Sequence, residues 1–567
     1  MPLHSQPPSL KRNDWIVIPF GFSLLFCISY ILTLAVIWPC FSNLGSISEH
    51  LKYAYKLAQL SLLPQYVDFL RSESLLSEFI RCLTITLLIA LVVAGYLTKK
   101  FFYKKGGKTA EVHVSGPTLL REVSEIKRTA KTKLAHESTD IGIRLHPLVQ
   151  ISRLREKRNT GVFGTTGAGK TTYFKYSLAQ IDDKKEHIFL FDEKKEYTEF
   201  LYDERAVLIA PWDSRSVRWD VAKDLDTESK IHNFAHMIIA DKDKPFWHQS
   251  AVELFTGLVT SLKDKKGYWT WSDFVALTTL DEEELKALLA VYRPSLIRFI
   301  KEGNETSANV MMNLTSNIGW IEQLAKLEDP NSEAFSLTEY VSGNGSTAKV
   351  IVQSDNRYRS LAAPYFSALF SVFCTEFLST GGINYKPTWL VLDEFGNLPK
   401  TEALNEWLST SREYEARTII GTQSVHQIYD IYGKDQTNSL LSMCGNLVCL
   451  AMSSTGEDAN FFSKSLGEQV IERPSINSKN SESLVTWQKE RKAAVEPNDL
   501  VNLPAPSKKG VSGFLYVNGY NTVFRLVWPY PKINKIAERT VSSSKVDQTK
   551  NDDRTPNRIK RRRESSC

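Results

Sequence analysis

Residues 161–172 read GVFGTTGAGKTT, and no other stretch of the chain narrows its fold as much. Gly164, Gly169, Lys170 and Thr171 stand at the spacing of a phosphate-binding loop, with Thr165, Thr166, Gly167 and Ala168 inside it and Thr172 just beyond. The glycines let successive backbone N–H groups turn around phosphate oxygens without a Cβ in the way. Lys170 can reach the β and γ oxygens, and Thr171 can offer its hydroxyl to Mg2+. The loop needs a strand leading in and a helix leading out. Val162 and Phe163 supply the first, and Tyr173 to Gln180 the second. The segment therefore predicts a site for ATP and Mg2+ at the edge of an α/β sheet.

The rest of the chain supplies that sheet. Short apolar runs occur at 187–191 (HIFLF), 206–210 (AVLIA), 348–352 (AKVIV), 389–392 (WLVL), 418–421 (TIIG) and 447–451 (LVCLA). Helical stretches, notably 362–378, lie between several of them. Strands alternating with helices imply a parallel sheet covered on both faces. Between about 218 and 332 the periodicity becomes helical, at 246–262, 281–292 and 308–327, so an all-α segment is inserted into the α/β domain. The expected motor domain is then 106–217 with 333–530.

At 567 residues the chain exceeds one ordinary core. Its first hundred residues differ in kind. Trp15 to Trp38 contains no charged residue, and Phe79 to Thr98 contains only Arg81. Each is long enough for a membrane-spanning helix, which makes 1–105 an anchor with spans near 15–38 and 79–98 and a loop over 39–78. The first run is too long for a signal peptide and no small-residue cleavage site closes it. Lys11 and Arg12 precede the first span, and Lys99, Lys100, Lys104, Lys105 and Lys108 follow the second. The loop holds three basic and four acidic residues. The excess of flanking lysines puts both termini and the phosphate-binding loop in the cytoplasm. None of the seven cysteines forms a CxxC pair, and Cys444 and Cys449 read as buried apolar residues. From Pro531 onward eleven Lys/Arg face five Asp/Glu, so this end carries the whole net charge of +6. Its composition predicts a basic disordered tail over 531–567, suited to nucleic acid, acidic lipid or an acidic partner, or simply solvated.

Trp389-Leu-Val-Leu-Asp393-Glu394 is an apolar strand that ends in two carboxylates, where α/β sheets place their chemistry. Asp393 would hold Mg2+ through water, and Glu394 would activate the attacking water, which points to repeated hydrolysis. Gln423 follows the strand TIIG, where it could contact the γ-phosphate. Arg412 sits on the connection before that strand. For both, ordinary loop hydrogen bonding is an equal alternative at this point.

These motifs, in this order, resemble the type IV coupling proteins of bacterial conjugation, the TraD/TraG group of hexameric DNA-pumping motors. The likeness runs over most of residues 15–530. It is carried by the two spans, GTTGAGKTT, FDEKKEY (191–197), FWHQSAVELF (246–255), LVLDEFGNLPK (390–400), IIGTQSVHQIYDIYG (419–433) and FFSKSLG (461–467). The resemblance implies a RecA-like P-loop ATPase domain with an inserted all-α domain and an N-terminal pair of transmembrane helices. It implies a catalytic glutamine at Gln423 and an arginine at Arg412 that acts on a neighbour's nucleotide. It further implies a homo-hexamer at the bacterial inner membrane that passes relaxase-bound DNA, single-stranded by expectation, to a type IV secretion channel. After Asp192 the chain reads Glu-Lys-Lys-Glu where relatives often carry Pro-Lys-Gly-Glu, which leaves that loop without an assigned role. Two other functions fit the same motor parts: a secretion receptor for protein substrates only, and a segregation-type translocase of duplex DNA. Segregation motors usually carry more spans and a C-terminal winged-helix reader, in place of which this chain has a short basic end.

Overall fold

Strands covered on both faces have no solvent side to make polar, so they read as unbroken apolar runs. In the computed structural model those runs meet in one sheet. Described are residues 14–59, 63–101, 112–137, 140–239, 245–300, 305–343, 345–455, 457–479 and 482–543. The chain divides into two units, residues 114–470 with 491–567, and residues 1–113 with 471–490.

The larger unit is built on a sheet of ten strands among the described residues. In chain order they are β1 (Thr118–Leu120), β2 (Thr160–Phe163), β3 (His187–Asp192), β4 (Ala206–Ile209), β5 (Lys349–Gln353), β6 (Thr388–Leu392), β7 (Ala416–Thr422), β8 (Asn446–Cys449), β9 (Val511–Val517) and β10 (Thr522–Trp528). Side by side they run β1-β10-β9-β8-β2-β7-β6-β3-β5-β4. Every pair from β8 to β4 is parallel. β9 and β10 return antiparallel, and β1 closes that edge.

The helix Arg359–Thr380 covers β3: Phe373 stacks on Phe189 at 4.5 Å between ring centroids, and Phe366 lies 4.7 Å from Phe191. This helix is apolar and long enough to cross a membrane, but most of it is buried against the sheet. Between β4 and β5 the chain leaves the sheet for the helices Glu228–Ile238, Pro245–Lys266, Trp271–Thr278, Glu282–Tyr292 and Glu305–Leu327. Its way out and way back pair as two short parallel strands, Arg218–Trp219 and Ala334–Phe335. Buried Asp224 seals that neck, accepting bonds from the Trp219 indole at 2.7 Å, the Ser336 hydroxyl at 2.5 Å and the Leu337 and Thr338 amides at 2.9 Å.

Residues 531–543 depart from the free tail expected over 531–567. They lie as a strap along the larger unit. Ile536 and Ala537 donate backbone N–H bonds to the Glu199 carbonyl, and Ser543 to that of Trp212. The Glu199 carboxylate pairs with Lys535 at 3.4 Å and Arg539 at 3.2 Å. Backbone pairing and local carboxylates hold a segment too polar to bury itself. The remainder of the expected tail, 544–567, lies outside the described residues.

In the smaller unit the helices Asp14–Ile37 and Leu76–Phe101 pack along one another, joined through Ile47–Gln59 and Leu63–Ser72. Phe20–Cys40 and Leu76–Thr98 are each long and apolar enough to cross a membrane. Phe20, Leu24, Ile31, Leu32 and Val36 are exposed on the first, as lipid-facing side chains would be.

At the amino ends of β6 and β7 the fold closes on a buried charge cluster. Arg417 is 1% exposed and donates to Glu156 at 2.9 Å and to the Glu415 carbonyl and carboxylate at 2.6 and 3.1 Å. Glu156 also accepts from the Ile143 amide and from Arg153. Removing one member of such a pair strands a buried charge, at a cost of about 3–5 kcal/mol. Glu156→Ala should therefore lower the urea midpoint of the full-length protein sharply, and Glu156→Gln, which keeps an acceptor, should lower it less.

Candidate nucleotide-binding site

The parallel register aligns the carboxyl ends of four strands. Phe163 at the end of β2 pairs with Thr422 of β7, and Leu392 of β6 pairs with Ile420 of β7 and Phe191 of β3. The residues that follow, Gly164, Gln423, Asp393 and Asp192, are thereby brought to one edge. From β2 the chain turns through 164–169 into the helix Lys170–Asp183. Gly167 and Gly169 hold φ of +79° and +99°, a conformation that glycine takes without strain. A Cβ on Gly169 would sit 2.5 Å from Val511, whereas one on Gly167 would meet nothing within 4 Å. The loop is closed on its β9 side and open at Gly167. The Thr165 amide anchors it to the Ala451 carbonyl at 3.0 Å.

Lys170, buried at the first turn of that helix, donates to the Gly164 carbonyl at 2.7 Å and lies 3.8 Å from Glu394. Burial pulls its pKa down, against the opposing pull of Glu394. Glu394 is 2% exposed and accepts from the Gln423 amide N–H at 3.2 Å and from its side-chain amide at 2.8 Å. The carbonyl end of Gln423 accepts from the Thr166 hydroxyl. Lys170, Glu394, Gln423 and Thr166 thus form one connected network. Thr171 and Thr172 occupy the first turn of the helix, where the Thr172 amide donates to the Gly169 carbonyl at 3.0 Å.

Asp393 stands beside this network, 4% exposed, and accepts from the Tyr197 hydroxyl at 2.7 Å through Oδ1. Its Oδ2 is buried and has no hydrogen-bond partner. A buried carboxylate oxygen left open is what a divalent cation or its water would satisfy, and together with the hydroxyl of Thr171, next to Lys170 on its helix, it would make a donor set of the hard-oxygen kind that suits Mg2+. Burial pushes the Asp393 carboxyl up to about 6, opposed by the Tyr197 bond. Asp192 is pushed up to about 7 by burial, opposed by bonds from Thr198.

Arg412 does not join this cluster within the chain. It lies in the turn Ser411–Tyr414 at the opposite end of β7, its Nε donating to the Lys157 carbonyl at 3.0 Å. The seven residues of β7 separate it from Gln423 by about 20 Å at strand rise. Tyr197 and Glu193, by contrast, reach the site without having been singled out individually: Glu193 accepts from Asn397 at 2.6 Å beside Glu394. The signal lay in the FDEKKEY stretch, which begins at the end of a strand adjacent to β6.

Against this geometry, the family model for the type IV secretion-system coupling protein DNA-binding domain matches residues 144–519, well over half of the chain. The chain belongs to the type IV coupling protein family. Among relatives, the coupling protein TraD of Escherichia coli (strain K12) is 24% identical over 405 residues, covering 70% of this chain and 55% of TraD. The chain thus spans about half the length of that relative. Among solved structures, the unbound monoclinic form of the conjugative coupling protein TrwBdeltaN70 superposes with a TM-score of 0.66 at 17% identity, covering 77% of this chain and 98% of that one. TrwB in complex with ADP and Mg2+ gives 0.64 at 18%, covering 77% and 99%. The coupling-protein fold therefore accounts for the sheet, its inserted helices and the loop at its edge.

The buried acid pair gives a pH test with a definite sign. The Asp393 carboxyl titrates above its unfolded value, so holding it charged costs stability above about pH 6, and this cost fades as the pH falls through that value. In buffer free of metal and nucleotide, Asp393→Asn should be more stable than the parent near pH 8, by on the order of 2 kcal/mol. Thermal unfolding should show that gap narrowing below about pH 6 and closed only at about pH 4, the ordinary carboxylate range.

Proposed function

We propose that the chain is an ATP-driven DNA translocase, the coupling protein of a conjugation-type type IV secretion system. The observation that carries this reading is Glu394: a buried carboxylate held between Lys170 and Gln423, beside a glycine loop with open space at Gly167. TrwB, whose fold the chain shares, is described in complex with ADP and Mg2+.

Bound ATP draws the Lys170 ammonium away from the Gly164 carbonyl and Glu394 toward the β and γ oxygens. Thr165, Thr166, Gly167, Ala168 and Gly169 turn their backbone around the phosphates, and Thr172 closes the first helical turn behind them. The Thr171 hydroxyl and Asp393, the latter through water, would hold Mg2+, which would supply neutralisation of phosphate charge. Glu394, released from Lys170, takes a proton from the water that attacks the γ-phosphorus. The bond to the β–γ bridging oxygen breaks, leaving ADP and phosphate. Gln423 already touches both the loop and Glu394, so loss of the γ-phosphate moves β7.

In this reading the helices Asp14–Ile37 and Leu76–Phe101 seat the protein in the bacterial inner membrane, with both termini and the motor in the cytoplasm. Six copies form a ring around single-stranded DNA delivered with its relaxase, and the ring hands it to the secretion channel. Phosphate contacts that ignore sequence suit such a motor. Arg412, remote from its own nucleotide, serves the site of the next subunit.

ATP turnover stimulated by DNA distinguishes this function from that of a receptor for proteins alone. Lys170→Ala should abolish turnover, and Glu394→Gln should retain ATP without hydrolysing it; normal turnover by either folded variant overturns its assignment. Arg412→Ala should bind ATP nearly normally yet hydrolyse it about 10³-fold more slowly or worse. Mixed with Lys170→Ala subunits, it should regain part of its activity, because some of its sites then face an intact arginine. Mixed rings as inactive as either parent would exclude a finger acting between subunits.

A further inference from the structure

The loop after β3 makes one polar contact with the acid pair that its role in the sequence left unexplained. Asp192, fully buried at the end of β3, accepts four bonds: from the Glu196 amide at 3.1 Å, the Tyr197 amide at 3.0 Å, and the Thr198 amide and hydroxyl, both at 2.8 Å. These bonds fold Glu193–Thr198 back over the strand end, with Lys195 at φ +60° in the turn. Their product is the placement of one hydroxyl. Tyr197, fully buried, donates to Oδ1 of Asp393 at 2.7 Å. Its ring packs between Phe174 at 6.1 Å and Phe200 at 6.4 Å, so the side chain has no freedom to look elsewhere.

We infer that Tyr197 is a positioning residue for the magnesium carboxylate, held in place by Asp192. An aspartate has two equivalent oxygens and a side chain that rotates about two bonds. A hydroxyl bound to one oxygen fixes the plane of the group and leaves Oδ2, the atom without a partner, as the oxygen that faces the cation's water. A charge-assisted O–H···O⁻ bond is strong enough to hold that orientation. Partners that orient a carboxylate in this way typically change metal affinity about 10–100-fold when lost. The departure Glu193-Lys194-Lys195-Glu196 from the commoner turn leaves this arrangement intact, because the four bonds to Asp192 come from two backbone amides beyond it, the Thr198 hydroxyl and only one amide within it. The inference rests on reading Asp393 as the carboxylate that serves Mg2+.

The test uses the full-length, detergent-solubilised protein and a fluorescent ADP analogue. Tyr197→Phe removes one oxygen and keeps the ring packing. Binding of the analogue in EDTA should be unchanged, and the Mg2+ concentration that half-saturates its metal-dependent tightening should rise about tenfold. In an Asp393→Ala background the same substitution should leave the Mg2+ response unmoved, which separates positioning from a general loosening. An unchanged Mg2+ midpoint in folded Tyr197→Phe, or an equal shift in the Asp393→Ala background, overturns the inference. Should Tyr197→Phe lose its cooperative melt, Thr198→Val removes one donor from Asp192 without touching Asp393. A smaller shift in the same direction then supports the inference, and none refutes it. If the parent itself tightens on the analogue with no dependence on Mg2+, it is the reading of Asp393 that fails.

Discussion

The parallel register of β3, β6, β7 and β2 is the constraint on which the site depends. Because Leu392 lies level with Phe191 and Ile420, and Thr422 with Phe163, four strands end within two residues of one another. Whatever follows them must share a small volume. Two carboxylates, a lysine and a glutamine would repel or hydrate one another elsewhere. Here burial forces them to pair, and burial raises Asp393 and lowers Lys170 from their ordinary values while their partners, Tyr197 and Glu394, pull the other way. Gly421 shows how tight the junction is: a Cβ there would lie 2.4 Å from the Asp393 carbonyl. The backbone of β7 passes so close to β6 that only glycine fits.

Much of this was legible because each central strand announces itself. All seven parallel strands coincide with apolar runs, since burial on both faces leaves one reading of HIFLF or WLVL. The phosphate-binding loop was legible for a different reason, in that its glycines are dictated by backbone geometry and not by packing. β9 and β10 escaped notice. Ser512, Tyr516 and Arg525 interrupt their apolar pattern, because an antiparallel edge is less fully covered than the centre and can carry polar side chains. The helix Arg359–Thr380 shows the opposite ambiguity. Its composition would suit a bilayer, and only its place between phenylalanines of β3 and Trp407 shows that it faces protein.

Residues 531–543 and Tyr197 were illegible for a shared physical reason. Each is held by partners distant in sequence: the strap by Glu199, Trp212 and Asp213, and Tyr197 by a carboxylate 196 residues away. Composition reports what a segment can bury by itself, and neither segment buries itself. The two also meet. Buried Gln353 donates through one amide nitrogen to the Thr198 hydroxyl at 2.7 Å and to the Arg539 carbonyl of the strap at 2.9 Å. The Thr198 hydroxyl in turn donates to Asp192, so the strap and Asp192 are joined by an unbroken set of hydrogen bonds.

Arg412 completes the logic of the sheet by its absence from the site. β7 is a single extended strand with Gln423 at one end and, just before the other, a turn closed by Glu415 at φ +64°. That turn is seated on residues 156 and 157: Lys157 pairs with Glu415, its carbonyl takes the Arg412 Nε, and Glu156 takes Arg417. An arginine on that turn, about 20 Å from the Gln423 end of the strand, cannot reach that end unless the turn leaves its seat on residues 156 and 157. A strand is stiff along its length, with hydrogen bonds on both sides passing to β2 and β6. A displacement at the Gln423 end would therefore be carried to the turn that holds Arg412. On the function proposed above, this one strand joins Gln423, beside the phosphate-binding loop, to the guanidinium that would serve a neighbouring subunit.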